Sequence, residues 1–344
     1  MPENTPGLIS QATQKLRSGQ NLDTNTVRQC VLELVSGQVE QSEIEAFLTA
    51  LHQKGETVDE LVGAAQALRQ EMVPAEFRQS PLVDTCGTGG DGSRTFNIST
   101  SAAIVAAAAG IKVAKHGNRK ITSQSGSADV LTELGVEISC DVDTAQRCLD
   151  QAGLCFLFAP QFHPAMKHVS AARKALPFPT IFNLLGPLAN PASAAYQVLG
   201  VGRADAWDLL VPALGRLTTG RALAVRGDDG LGELSVLSTN QVAIVTGGAE
   251  MERQVWDPAD HDLAGGTLAD IQVDTPAESA QLIRRIFDGQ SGTARNMVVW
   301  NAAAAIWVCG ETSLPNAINR AQNAIDSGKA GETLELLART SQTS

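Results

Sequence analysis

The densest run of chemistry in the chain lies at residues 84–100, Asp-Thr-Cys-Gly-Thr-Gly-Gly-Asp-Gly-Ser-Arg-Thr-Phe-Asn-Ile-Ser-Thr. Four glycines (Gly87, Gly89, Gly90 and Gly92) fall within six positions. Hydroxyl- and amide-bearing residues run from Thr95 to Ser101, and an alanine-rich apolar segment, Ala102 to Ala109, follows. Glycine lets the backbone take positive φ and approach a ligand closely. A loop of exposed N–H groups that runs into a helix N-terminus makes an anion site. The order short strand, glycine loop, polar cap, helix therefore predicts a cradle for phosphate or pyrophosphate. Gly87-x-Gly89-x-x-Gly92 also matches the spacing of a dinucleotide fingerprint, which calls for an acidic residue about 20 positions on. That region, Ala106 to Lys115, holds no carboxylate, which argues against a nicotinamide dinucleotide. A bare structural turn is also a poor reading, because Asp91, Thr95, Asn97, Ser99 and Thr100 bring more polar groups than a turn needs.

A second cluster, Lys115-His116-Gly117-Asn118-Arg119-Lys120, places three cations and an amide in six residues. It ends an apolar stretch, Ile111 to Ala114, and Thr122, Ser123, Ser125 and Ser127 follow. Such a run is commonly a solvated face, but this context suits a second phosphate loop with Lys115 as a point charge. His116 reads first as a positioning histidine, with a general base as the alternative. His163 and His168 are five apart, a poor spacing for one helix face, so no metal pair is expected there. Arg173 is either a surface cation or a bidentate partner for a carboxylate. Asp228, Asp229 and Glu233 follow an apolar strand, Ala222 to Val225. They suit Mg²⁺, which binds through a few carboxylates plus substrate phosphates; the plain alternative is a solvated acidic turn.

These groups need a framework. Residues 1–74 carry helical periodicity, as in Val27, Cys30, Val31 and Leu34 and in Ile44, Phe47, Leu48 and Leu51. Ser42 with Glu45 and Thr57 with Glu60 fit capping boxes, and Gly55 fits a helix C-terminus. From residue 82 short apolar strands (82–84, 111–114, 136–138 and 155–159) alternate with helices, which predicts a mostly parallel sheet with its ligand crevice at the carboxyl ends of the strands. Pro177 to Pro191 interrupts the alternation and is expected to cross back toward the helical domain; residues 196–250 resume it.

Composition bounds the function. The 344 residues can hold two domains. A net charge of −11 and 4% aromatic content oppose nucleic-acid binding, which needs clustered cations and stacking platforms. The six cysteines form no Cys-x-x-Cys pair, so they read as reduced thiols of a cytoplasmic protein. No signal peptide and no run long enough to span a bilayer is evident.

Taken together, Gly87-Thr88-Gly89-Gly90-Asp91, Asn97-Ile98-Ser99-Thr100, Lys115-His116-Gly117-Asn118-Arg119, Ser125-Gly126-Ser127-Ala128-Asp129 and Leu185-Gly186-Pro187-Leu188-Ala189-Asn190-Pro191 closely resemble the anthranilate phosphoribosyltransferase family, in the same order along nearly the whole chain. The resemblance implies an α/β fold: a small all-helical N-terminal domain (1–75, with a discontinuous return near 177–200) hinged to a larger α/β domain (82–340) with a central mostly parallel sheet. It implies a homodimer through the helical parts and transfer of a phosphoribosyl group from phosphoribosyl pyrophosphate to the amine of anthranilate, in tryptophan biosynthesis. By motif, phosphoribosyl pyrophosphate would be held by Gly87, Gly90, Asp91, Thr95, Asn97, Ile98, Ser99 and Thr100. Lys115, His116, Gly117, Asn118, Arg119, Lys120, Ile121, Thr122, Ser123 and Ser127 would join them. Gly87, Asn118 and Arg173 would face anthranilate, with Arg173 on its carboxylate. Ser99 and Glu233 would bind Mg²⁺, two ions in all, and no covalent nucleophile is expected.

One position departs from the family pattern. The family's metal motif Asp-Gly-Leu-Asp-Glu reads here Asp229-Gly230-Leu231-Gly232-Glu233. The expectation is a second Mg²⁺ site weakened, or rebuilt around Asp228 or Asp229. Two rival functions remain at this level: a related pentosyltransferase with another acceptor, such as a nucleoside phosphorylase, and a catalytically weak paralogue with a binding or regulatory role.

Overall fold

The computed structural model describes residues 7–119, 125–247 and 250–343. The chain opens with four helices, α1 (Leu8–Arg17), α2 (Thr24–Val35), α3 (Gln41–Lys54) and α4 (Val58–Glu71). Thr57 and Glu60 form the expected capping box of α4, and Gly55 ends α3 at φ 86°. The Ser42–Glu45 box does not form. Glu40 is the N-cap of α3 and makes no side-chain cap bond, so Ser42 already lies inside the first turn. Glu60 is fully buried, where it accepts from the Leu22 N–H at 3.0 Å and pairs with Lys54 at 2.8 Å.

The α/β part alternates β1 (Val83–Gly87), α5 (Ile98–Ala108), β2 (Val113–Gly117), α6 (Ser127–Glu133), α7 (Val142–Gln151) and β3 (Leu154–Phe158). Then come α8 (Ala159–Phe162), α9 (Lys167–Ala175), α10 (Phe182–Leu185), β4 (Tyr196–Gly200), α11 (Ala204–Leu217), β5 (Arg221–Gly227), β6 (Asn240–Thr246) and β7 (Glu250–Trp256). Four helices close the chain, α12 (Pro276–Phe287), α13 (Thr293–Val308), α14 (Leu314–Asp326) and α15 (Lys329–Ser341). The seven strands form one sheet in the order β3-β2-β1-β4-β5-β6-β7. Pairing is parallel from β3 to β5 and antiparallel at β5–β6 and β6–β7. Alternation therefore stops at β5, because β5, β6 and β7 follow one another with no helix between them. Residues 136–138 are not a strand. Val136 and Ile138 are buried, and the Glu137 N–H donates to Ser341 Oγ at 2.9 Å, so this apolar stretch packs as a connection under α15.

Strand side chains alternate between two cores, as a period of two requires. Val198, Leu223, Val225, Val242 and Ile244 face the core of α5, α12 and α13. Leu199, Ala222, Ala224, Ala243 and Val245 face the core shared by α1–α4, α9–α11 and the 181–189 segment. Helix α5 is apolar all round because it is covered by both the sheet and α13. Arg69 on α4 ties the N-terminal helices to the 186–188 turn and to the end of α11: its guanidinium donates to Leu188 O at 2.7 Å and Leu217 O at 3.0 Å.

Candidate active site

Successive strands turn away from each other at β1: the chain goes to β2 on one side and later to β4 on the other. That switch point is where open parallel sheets leave a crevice at the strands' carboxyl ends. The glycine loop lies there. Gly89, Gly90 and Gly92 take φ of 62°, 81° and 70°, the left-handed region that costs other residues about 1–2 kcal/mol. The loop is laced to the end of β4: the Thr88 N–H donates to Gly200 O at 2.9 Å, and the Gly202 N–H to Thr88 Oγ1 at 3.1 Å. Beyond it, the Phe96 N–H donates to Ile271 O at 2.9 Å and the Val273 N–H to Arg94 O at 2.9 Å.

Asn97 caps the approach to α5 and joins three segments. Its Oδ1 accepts from Ser125 Oγ at 2.7 Å and Ser279 Oγ at 2.8 Å, and its Nδ2 donates to Ser125 O at 3.0 Å. Ser279, on α12, carries no local sequence signal; it is 182 residues from Asn97. Ile98 and Thr100 are buried, whereas Gly87, Gly90 and Asp91 are exposed and Thr95 and Ser99 half-buried.

Lys115 projects from β2 beneath the glycine loop and is 3% exposed. Its Nζ donates to Thr85 O and lies 3.4 Å from both Thr85 Oγ1 and Ser99 Oγ. Burial pushes its pKa down, opposed by the acidic groups nearby, first Asp84 and then Cys86 and Glu233. Burial likewise pushes Asp84 up, against the pull of Lys115. Glu233 is half-buried on the loop after β5, and the Ser99 N–H hydrogen-bonds its carboxylate. Burial drives its pKa up to about 8; Lys115 opposes this and Asp91 adds to it.

Asp91 binds both loops together. Its Oδ1 accepts from the Ser93 N–H at 3.0 Å and Ser93 Oγ at 2.8 Å, and its Oδ2 accepts from the Gly232 N–H at 3.1 Å. Gly232 is pressed against β4: a Cβ there would sit 2.8 Å from both Cα and N of Gly202. Asp228 and Asp229 are spent on their own hairpin. Thr239 and Gln241 donate to Asp228 at 2.5 and 3.0 Å, while Ser235 Oγ and the Leu231 N–H donate to Asp229 at 2.6 and 3.1 Å. Hard oxygen donors near Ser99 are thus Asp91 and Glu233. No group of three or more His, Cys, Asp or Glu gathers among the described residues, so a hard cation here would need substrate phosphates to complete its shell.

The second loop continues from Lys115. Gly117 is needed for close approach, since a Cβ would meet Ser127 Oγ at 2.1 Å. Ser127 Oγ donates to Asn118 O at 3.4 Å, and Arg119 pairs with Asp129 at 3.4 Å. Lys120, Ile121, Thr122 and Ser123 lie outside the described residues. His116 is buried, with Nδ1 3.2 Å from Gly186 O and its ring 5.1 Å from that of His163. Burial, with His163 nearby, drives its pKa down to about 3. His163 bonds Ala189 O at 2.9 Å, so the two rings brace the 186–189 turn. His168 stands apart, packed against Gly37. Arg173, in the last turn of α9, lies 5.5 Å over the Phe182 ring, half-buried and without a carboxylate partner among the described residues.

Known proteins share this arrangement. Residues 79–331 match a family model described as the a/b domain of a glycosyl transferase family, and residues 10–72 its helical bundle domain. The chain is 42% identical to the anthranilate phosphoribosyltransferase of Petrotoga mobilis over 94% of each chain. It is 44% identical to that of Anaeromyxobacter dehalogenans over 97% of this chain and 99% of the relative. The crystal structure of the Thermus thermophilus anthranilate phosphoribosyltransferase superposes with a TM-score of 0.89 at 36% identity, covering 96% and 99% of the two chains. The Saccharomyces cerevisiae enzyme in complex with PRPP and Mg superposes with a TM-score of 0.88 at 27% identity over 98% of each. The chain belongs to the anthranilate phosphoribosyltransferase family.

Proposed function

We propose that the switch-point crevice holds phosphoribosyl pyrophosphate with Mg²⁺ on the glycine-loop side and anthranilate on the Arg173 side. The reaction is transfer of the phosphoribosyl group to the anthranilate amine with release of pyrophosphate. The observation that carries the assignment of sides is the charge layout. A buried cation, Lys115, lies under a loop of glycines, and Arg173, over the Phe182 ring, has no carboxylate partner among the described residues.

The bond to pyrophosphate breaks as negative charge builds on the leaving group. Loop N–H groups from Gly87 to Asp91, the α5 N-terminus at Asn97–Thr100 and Lys115 stabilise that charge without reorganising. Asn118, Arg119 and Ser127 on the second loop extend the same wall. Ser99 Oγ and the Glu233 carboxylate would hold Mg²⁺, which would add to the neutralisation of the pyrophosphate; yeast relatives have been solved with PRPP and Mg and with Mg bound. Arg173 receives the anthranilate carboxylate and, with Asn118 and Gly87, aims the amine at C1, which converts encounter into alignment. A yeast relative has been solved with 4-fluoroanthranilate. His116 is a positioning group: a pKa near 3 makes it a weak base, and its Nδ1 is bonded to the 186–189 turn.

The two-body division at about residues 75–82 and the homodimer through the helical domain are part of the same reading. The first is supported by the two family models, which meet between residues 72 and 79, the second by the family resemblance. The six free cysteines support a cytoplasmic location, and no helix is long and apolar enough to cross a membrane among the described residues. The test is loss of anthranilate fluorescence. It is expected only when protein, phosphoribosyl pyrophosphate, Mg²⁺ and anthranilate are all present; no loss with folded protein sinks the reading.

A further inference from the structure

We infer that Ser279, on α12, is a positioning residue for the donor side of the crevice: it holds the Asn97 side chain off the start of α5, so that Asn97 does not compete with an anion for the first amides of that helix. The inference rests on the reading of this crevice as the phosphoribosyl pyrophosphate site. Asn97 is the N-cap of α5, yet its side chain makes no bond to its own helix. The other α-helices that begin after Asp, Ser or Thr, with caps Asp23, Thr57, Asp141, Thr275 and Ser313, all make that bond. It ordinarily takes the N–H of the second or third helical residue, which in α5 is Ser99 or Thr100.

Hydrogen bonding explains the exception. Asn97 Oδ1 accepts from Ser279 Oγ at 2.8 Å and from Ser125 Oγ at 2.7 Å, which fills the two lone pairs of an amide oxygen. The Asn97 backbone N–H donates to the same Ser279 Oγ at 3.0 Å, so one hydroxyl grips both the main chain and the side chain of Asn97. The backbone follows. With φ −75° and ψ 73°, and with the Ile98 N–H bonded to Phe96 O at 2.8 Å, Asn97 is the centre of an inverse γ-turn. The five capping residues instead have ψ of 147° to 173°. Ser279 is 0% exposed and spends its hydroxyl on another segment. Ser101 and Ser327 show the usual choice of a helical serine, a bond to the carbonyl four residues back. Without the Ser279 hydroxyl, one lone pair of Asn97 Oδ1 is released and the side chain turns back onto α5.

The test uses steady-state kinetics and amide hydrogen exchange on the full chain, with circular dichroism to confirm folding. In Ser279→Ala the KM for phosphoribosyl pyrophosphate is expected to rise about tenfold, with that for anthranilate unchanged. Exchange at the Thr100 amide slows, because that amide gains a partner within the chain. Ser279→Cys, of similar size but a weaker donor, falls between wild type and Ser279→Ala. Ser279→Ala added to Asn97→Ala raises the KM no further than Asn97→Ala alone, because the serine acts through the asparagine. A wild-type KM in Ser279→Ala overturns the inference, as does an equal rise for both substrates, unchanged or faster exchange at Thr100, or additive losses in the double variant. A folded wild-type chain that turns over no phosphoribosyl pyrophosphate with anthranilate and Mg²⁺ overturns the reading of the crevice itself, a result distinct from any of these.

Discussion

The loop after β1 and the loop after β5 meet in one crevice, and both use glycine, for opposite reasons. In the first, Gly90 and Gly92 have positive φ and open space where a side chain would stand. In the second, Gly232 carries no positive φ, but a side chain would strike Gly202, and a Cβ on the facing Gly200 would lie 1.9 Å from Gly232 O. One loop needs glycine for conformation, which suits the anion cradle proposed above. The other needs it for contact, which lets a backbone amide reach Asp91. A glycine that looks like a lost carboxylate in the sequence is also a point of close backbone approach, where a Cβ would lie 2.8 Å from Gly202.

The strongest way to break this comparison is through Lys115, which bonds Thr85 on the glycine-loop side and is attracted to Glu233 on the loop after β5. Lys115→Met leaves Asp84 buried without its counter-charge, a change that costs about 3–5 kcal/mol where the remaining group stays ionised. Urea unfolding should show the loss, and turnover should fall about 100-fold or more. An unchanged midpoint would mean that the lysine does not bind the two loops together. Steric and conformational glycine separate next. Gly200→Ala should lower stability by about 1–3 kcal/mol, towards the upper end because the obstacle is backbone. Gly90→Ala should cost about 1–2 kcal/mol from strain alone, and Gly90→Asn less, since asparagine tolerates that region. If Asn and Ala behave alike at 90 in thermal unfolding, φ is not what selects glycine there.

Arg173 lies on neither loop and serves as the outside control. Arg173→Ala should cost about 1.5–3 kcal/mol of transition-state binding, read as a raised KM for anthranilate with that for phosphoribosyl pyrophosphate unchanged. A parallel rise in both would place the arginine on the donor side. The smallest effect is a pH slope. His116 has a folded pKa near 3 against an ordinary 6.5, so its contribution to stability is complete above about 6.5 and is lost as pH falls toward 3. His116→Gln should flatten that acid limb by up to about 1.4 kcal/mol per pH unit. His163, also shifted down by burial, keeps part of the slope. An unaltered limb in the variant would show that His116 does not titrate on unfolding.

Much of the site was legible because its groups are contiguous. Gly87 to Thr100 and Lys115 to Ser127 each announce a strand end, a loop and a helix start, and the described part of each follows the carboxyl end of a strand, β1 and β2. The helical body was legible from its periodicity and from the Thr57–Glu60 cap. The sequence misled where an apolar triplet is ambiguous. Val136-Glu137-Ile138 alternates like a strand, but its backbone bonds to Ser341 and not to the sheet. Ser42 and Glu45 have cap spacing, yet α3 starts earlier, at Gln41.

Local composition determined on its own most of the helical and strand-forming segments, the glycine loop after β1 and the cation supply of the second loop. These depend on neighbours within a few residues, so spacing carries them. Tertiary structure alone decided that Gly87 pairs with Gly200, that Ser279 reaches Asn97, that Lys115 is buried beneath the loop and that residue 232 packs closely on Gly202. Each of these is a contact or a crowding between segments distant in the chain, set by how strands align and how closely their backbones approach, and no short-range pattern encodes it.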